Sequence, residues 1–460
     1  MEMLENRPLG ELAPGDSAEL TRVLTRRDIE LFAVMSGDLN PAHLDADYAE
    51  GTQFHRVIAH GMWGGALISA VLGTRLPGPG TIYLGQSLRF LRPVGVGDAV
   101  TVRATVAEVD EGTGRVRLDC LCLDAVGRSV IEGSAEVLAP RDKVRRPAAA
   151  LPEVRLHTPG ARFRALIDAT RPHDPVPTAV VHPCDALSLE GALQARAETI
   201  IAPILVGPRR RIEAAAAEAG LSLEGLEIVD VAHSHAAAEA SVRLVREGRA
   251  AALMKGALHT DELLSAVLDR AAGLRTERRL SHVFALDVPG YPRTLYITDA
   301  AINIAPDLET LRDIVQNAID LARAAGTEAP RVALLSAVET VTEKLPSTLL
   351  AAAICKMADR GQITGGLVDG PLAFDNAISP AAVAAKGIAS AVAGRADILV
   401  APNLESGNMI AKQLIHLAGA EAAGIALGAR VPIMLTSRAD SAEARLASAA
   451  LAQVMARDGG

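Results

Sequence analysis

Two fold classes succeed one another along this sequence: an α+β unit over residues 1–140, then a longer α/β region over 161–460. Three observations predict the division. One apolar helix pattern is followed by four alternating strand patterns joined by Gly- and Asp-rich turns, as in an antiparallel sheet around a single helix. From residue 161 onward, short apolar runs alternate with Ala- and Arg-rich helical stretches, as in parallel-type α/β proteins with crossover helices. Between them PRDKVRRPAAALP has prolines, charge and no periodicity, and reads as the core of a linker over 141–160.

Composition bounds the function. The chain has 460 residues and is 49% hydrophobic, yet no apolar run approaches the ~20 residues of a membrane span. MEMLENRPLGELAPGDS carries acids where a secretory signal carries bases and an apolar block, so a soluble, cytoplasmic protein without a membrane partner is expected. Cys120, Cys122, Cys184 and Cys355 form no C-x-x-C pair and no zinc-ligand spacing; reduced structural thiols and no metal are expected. A net charge of -9 and 2% aromatic residues argue against a nucleic-acid partner.

In the first region, 17–23 alternates as a strand. Thr25 caps a helix whose apolar positions Ile29, Leu31, Phe32, Val34 and Met35 predict a buried face, and Gly37 stops it. In SGDLNPAHLDADYA, Pro41 bars continuation of the helix, and Asp38, Asn40 and His43 fall within one tight loop. The stretch 60–72 is apolar nearly all round and predicts a fully buried helix. Strands are expected at 82–90, 99–109, 115–123 and 129–138. One buried helix wrapped by an antiparallel meander is a hot-dog fold.

The strings GDLNPAH, HGM and LRFLRPVGVGDAV resemble the MaoC-like family of (R)-specific enoyl-CoA hydratases, over about the first 140 residues. The resemblance implies that Asp38 and His43 hold and activate water, that Asn40 braces the loop, and that the Gly61 N–H binds the thioester oxygen. Hydrating a trans-2-enoyl thioester needs a base for water, an acid for C2 and a donor for the enolate oxygen. A carboxylate and an imidazole sharing one water supply the first two; an N–H at a helix start supplies the third. Read alone, Asp38 and His43 are turn or capping residues; domains of this kind also act as dehydratases on substituted enoyl-CoA. Where some relatives carry a Ser near the thioester, this chain has Ala66, and Arg89 and Arg92 could meet CoA phosphates or lie exposed on their strand.

The α/β region is organised around 362–412. Strand cores are expected at 367–369 and 398–400, with Asp369-Gly370-Pro371 and Pro402-Asn403 as the stops. Ligands of open α/β sheets sit beyond such strand ends, so Asp375, Asn376, Glu405 and Asn408 are expected to face a cleft. Further strands are expected at 178–182, 203–206, 226–231, 251–254, 280–288, 294–304, 332–336, 363–368, 397–401 and 431–436.

DGPLAFDNAIS, VAGRADILVAPNLESGN and VPIMLTSRADS resemble the phosphate acyltransferase family, its phosphate butyryltransferase branch more than its acetyltransferase branch, over about the last 300 residues. The resemblance implies a two-lobed, isocitrate-dehydrogenase-like α/β fold with a second lobe over about 296–425. The reaction implied is acyl-CoA plus phosphate giving acyl phosphate plus CoA, with coenzyme A thioesters and inorganic phosphate as substrates and no bound cofactor. Ser437 would orient the CoA thiol and Arg438 would neutralise the acyl phosphate; the same SRADS string also caps the following helix. The acetyltransferase branch carries a basic Asp where this chain has Ala444, so Asp440 or Glu443 would substitute. Many relatives also carry an Arg where this chain has Ser265. In LMKGALHTDELL, Lys255, Gly256 and Thr260 read as an anion cradle of backbone N–H groups plus an ammonium. Asp299 and Asn303 of DAAIN read equally as ligands or as braces, as does Glu339.

The reading is a bifunctional CoA-thioester enzyme, and both families imply a homodimer or higher homo-oligomer. The rival is a hydratase whose second region senses acyl-CoA or drives assembly. A decarboxylating dehydrogenase shares the two-lobed fold but lacks a G-x-G-x-x-G fingerprint here.

Overall fold

The computed structural model describes residues 3–154, 156–435 and 441–458. The chain divides into two compact units, Met1–Leu156 and His157–Gly460.

Among the described residues, the first unit has a five-stranded antiparallel sheet in the order Ser17–Val23, Ala99–Asp110, Arg115–Leu123, Ser129–Leu138, Ile82–Phe90. Alternate residues of Ala99–Asp110 and Arg115–Leu123 are buried, as period-2 patterning demands. That inner face, through Val102, Leu118 and Cys120, shares a core with Ile68 and Val71 of the helix Gly61–Thr74. This is the expected hot-dog arrangement. The helix is less enclosed than its composition suggests: Gly61 and Met62 are exposed, because its first turn sits where the sheet opens.

Thr25 caps the helix Arg26–Ser36 in a reciprocal box with Asp28, and Gly37 ends it at φ +74°. Its expected apolar face is too wide. Ile29 and Ala33 are buried, whereas Val34 and Met35 are 75% and 71% exposed, since a helix resting on one surface covers a single i, i+4 stripe. Pro41 does not merely break a helix. It occupies the first turn of a new one, Pro41–Leu44, followed by Ala46–Glu50, so the predicted loop is two short helices. Arg145–Pro147, read as linker, pairs antiparallel with Met3–Glu5 in the first unit.

The second unit holds one sheet of eleven strands among the described residues. Four parallel neighbours, Glu227–Asp230, Ile201–Gly207, Val176–Val181 and Ala252–Lys255, form one flank. Leu295–Thr298, Ile398–Val400, Arg331–Leu335 and Leu367–Leu372 form the other, again parallel. Ile433–Met434, Glu421–Leu427 and Ser281–Asp287 join the flanks. The parallel-type expectation is corrected here: Ser281–Asp287 runs antiparallel to both its neighbours. The connection 288–294 is too short for a crossover, so the next strand must turn back.

Three expected strands change. The run 294–304 ends at Thr298, where the Asp299 carboxylate gathers the next N–H groups into a turn. The strand of 363–368 lies instead at Leu367–Leu372 and runs through Gly370–Pro371. It is the outermost strand of the sheet, where a residue without an N–H costs no ladder bond. The strand of 431–436 is only Ile433–Met434.

All four cysteines are free; burial pushes the Cys120 thiol up to about 11 and Cys122 up to about 12. No helix among the described residues is long and apolar enough to cross a membrane.

Candidate functional site

Asn40 caps the helix Pro41–Leu44, its side chain accepting from the Ala42 N–H at 3.1 Å, and the Asp38 carboxylate accepts from the Asn40 N–H at 3.2 Å. The loop therefore places Asp38 and His43 through Asn40. His43 Nδ1 lies 2.9 Å from the Ile58 carbonyl, which can only accept. Nδ1 thus carries the proton, and Nε2 holds the lone pair that a base needs.

Ligand-type atoms of Asp38, His43 and His60 all lie within 4.8 Å of one another. This is also the one cluster of metal-ligating type among the described residues, with one nitrogen of each histidine already engaged by a backbone carbonyl. His43 and His60 line a cavity of about 310 Å³ with Gly61, Trp63, Phe90 and Ile131. Its walls are mostly apolar, so charge developing inside is poorly screened and well-placed dipoles count for more. Gly61 opens the helix at its rim, and a first-turn N–H has no intrahelical partner. A Cβ there would come within 2.9 Å of Phe90 Cε1, so glycine is what lets the helix start and the aromatic wall meet. Arg92 lines the cavity and donates to the Ser129 carbonyl, while Arg89 is ion-paired with Glu132 at 3.4 Å.

The sequence reading missed His60. The signal was an N-cap position held by a histidine, whose side chain makes no cap bond here.

In the second unit the predicted residues are braced differently. Lys255 ends its strand, half-buried. The N–H groups of Gly256, Ala257 and Leu258 donate to the carbonyls of Val181, His182 and Gly256 at 2.9, 2.9 and 3.0 Å. Of the expected cradle's backbone donors, those of Gly256 and Ala257 tie the turn to the neighbouring strand end and that of Leu258 closes the turn itself. Gly256 is required because a Cβ would sit 2.4 Å from the Val181 oxygen. Thr260 opens a helix with Asp261 and Glu262 in its first turn, which satisfies the helix dipole internally and repels anions.

Asp299 is buried and accepts from the N–H groups of Ala301, Ile302 and Asn303 at 2.9, 3.1 and 3.1 Å, and from Asn303 Nδ2 at 2.5 Å. Asn303 also donates to the Leu280 carbonyl at 2.8 Å. Of the two readings, this geometry is that of a brace. His282 is enclosed nearby, and burial pulls its imidazole down to about 4, aided by Lys412 and opposed by Asp299.

Asp375 and Glu405 are exposed, and Asn408 is half-buried with its amide on the Ala300 carbonyl at 3.1 Å. Asn376, expected to face a cleft, is instead fully buried, its amide 3.4 Å from Glu339, which also pairs with Lys386 at 3.3 Å. The short helix Phe374–Ile378 cannot turn two consecutive residues the same way, and Asn376 takes the inner side. Ser437, Arg438 and Asp440 lie outside the described residues. Glu443 is ion-paired with Arg164, and Ala444 is buried.

Two family models match separate stretches of the chain. The family model described as Phosphate acetyl/butaryl transferase matches residues 236–453, and that described as MaoC like domain matches 12–119. A phosphate acetyltransferase of Rhizobium meliloti is 62% identical over 296 residues, 64% of this chain and 94% of its own length. A branched-chain phosphotransacylase from Enterococcus faecalis V583, solved by crystallography, is 32% identical with a TM-score of 0.53, covering 61% of this chain and 98% of that one. A solved R-hydratase from Pseudomonas aeruginosa is 48% identical over 34% of this chain and 100% of that one, with a TM-score of 0.33.

Proposed function

This chain belongs to the phosphate acetyl/butyryl transferase family and carries a MaoC-like domain, and on that premise we propose a cytoplasmic, bifunctional enzyme acting on coenzyme A thioesters. The first unit hydrates trans-2-enoyl-CoA to (R)-3-hydroxyacyl-CoA. The second transfers an acyl group between CoA and phosphate.

The observation that carries the hydration is the convergence of the Asp38 carboxylate with the His43 and His60 rings, the two histidines lining an apolar cavity rimmed by the Gly61 helix start. A water held between Asp38 and His43 loses a proton to one of them as its oxygen attacks C3. The acid so formed returns a proton to C2. The Gly61 N–H steadies the enolate oxygen without reorganisation. For the transfer, the identity with phosphate acetyltransferases over nearly their whole length supports the reading. Lys255 contributes positive charge at a strand end, and the thiol and acyl phosphate need only be held in line. Ser437 orients the thiol and Arg438 neutralises the phosphoryl oxygens in this reading.

A second reading has two observations in its favour: Ala444 is buried where relatives place a base, and Glu443 is bound to Arg164. It makes the second unit an acyl-CoA sensor. Release of CoA thiol from acetyl-, propionyl- and butyryl-CoA, with and without phosphate, separates the two. Phosphate-dependent release that disappears in Ser437→Ala establishes transfer; binding of CoA without release establishes sensing. Loss of the enoyl absorbance of crotonyl-CoA tests the first unit in the same preparation.

The assembly proposed is a homodimer or higher homo-oligomer. Ile82–Phe90 is an outer strand of its sheet, with Ile82, Leu84 and Phe90 exposed along it. A strand of this length with one edge open and apolar side chains exposed along it invites a second copy. A monomer by light scattering would sink that proposal.

A further inference from the structure

His60 is 2% exposed and stands at the N-cap of the cavity helix. Its Nε2 lies 3.1 Å from the Asp38 carbonyl oxygen, which only accepts, so Nε2 carries the proton. Its ring lies against His43, with centroids 4.0 Å apart, and against Phe32 at 4.9 Å. The remaining nitrogen, Nδ1, is buried with no hydrogen-bond partner in the structure. The use of this side chain is unusual for its position. In the second unit His233 also stands at an N-cap, and there Nδ1 accepts from the Ala236 N–H at 3.2 Å. His60 makes no such bond. Its imidazole is turned to the Asp38 loop, so the cap claims a first-turn N–H only through its main chain, the His60 carbonyl accepting from the Trp63 N–H at 3.0 Å.

We infer that His60 is a positioning residue for the hydration reaction: its Nε2–H fixes the main chain at Asp38 while its ring fixes the plane of His43. This rests on the hydration reading above. The two tasks are separable. Phe retains a ring against His43 and Phe32 but no donor; Gln retains an N–H donor but no ring. Neither substitution touches the Asp38 carboxylate or the His43 imidazole.

The test uses the full chain and crotonyl-CoA. His60→Phe lowers kcat for hydration about 100-fold, the effect of a misplacement near 1 Å. His60→Gln recovers part of that loss, and KM stays within about threefold in both, since ground-state contacts are spared. Melting temperature and phosphate-dependent thiol release remain those of the wild type. Wild-type kcat in both variants overturns the proposal, as does a loss of kcat that only follows loss of folded protein. Nitrogen-15 resonances of the histidine rings give a readout independent of turnover. A single Nδ1–H tautomer at His43 that becomes mixed in His60→Phe supports the positioning role; an unchanged His43 overturns it. Should the wild type fail to hydrate crotonyl-CoA, the hydration reading falls by that result, and the tautomer measurement still decides what His60 does to His43.

Discussion

The hot-dog site and the transferase segments contrast in how their polar residues are spent. Asp38 and His43 stand five positions apart on one capped turn, and their reactive atoms converge beside a cavity. Asp299 and Asn303 also share one turn, but there the carboxylate is filled by the turn's own N–H groups, while Asn303, Asn376 and Asn408 reach distant partners at Leu280, Glu339 and Ala300. A motif contained in one turn reports chemistry where the turn sets the geometry and leaves the reactive atoms available. A motif at the end of a strand reports first the need to terminate that strand without leaving buried donors unpaired.

The sharpest way to break this contrast is Asp38→Asn, which removes a proton acceptor and preserves shape. Crotonyl-CoA hydration is expected to fall about 100-fold to 10,000-fold, with melting and phosphate-dependent thiol release unchanged. Hydration that survives would move the chemistry elsewhere. Asp299→Ala should act oppositely. Four donors lose their acceptor, so denaturant unfolding of the second unit is expected to show a loss of about 3 kcal/mol. Turnover lost at unchanged stability would restore Asp299 as a ligand.

His282 sharpens the comparison through pH. Its folded-state value of about 4 lies below the ordinary 6.5, so between those values the unfolded chain takes up a proton that the folded chain refuses. Stability from this group is full above pH 6.5 and is lost as pH falls below it. Urea midpoints at pH 7 and pH 5 should differ less in His282→Gln than in the wild type. The smallest effect belongs to Thr25→Ala, which removes a helix cap from the first unit. It should cost about 1 kcal/mol of stability and leave hydration unchanged, because Thr25 lies outside the cavity lining.

Much of the first unit was legible because its signals are local. The strands at 17–23, 82–90, 115–123 and 129–138 occupy their expected spans residue for residue, and Thr25 and Gly37 bound their helix as their types require. Val34 and Met35 were misread because amphipathic spacing counts apolar residues without saying how wide a surface is available to cover them. In the second unit Gly370–Pro371 looked like a strand stop, since proline is barred from a paired interior strand; only the sheet order makes that strand an edge. His60 carried almost no signal, because a histidine before a helix gains its meaning from the ring and the carbonyl it meets.

The sequence by itself determined the two folds in succession, the GDLNPAH turn, the HGM helix start and the family of each half. These depend on residue spacing and backbone preference, which act over a few positions. Tertiary structure alone decided which polar groups remain available for chemistry. It tied the Gly256 turn to Val181, joined Asn303 to the Leu280 carbonyl, and brought His60 onto Asp38 and His43. Hydrogen bonds are claimed by whichever partner folding brings within about 3 Å, and that partner is often far away in the chain.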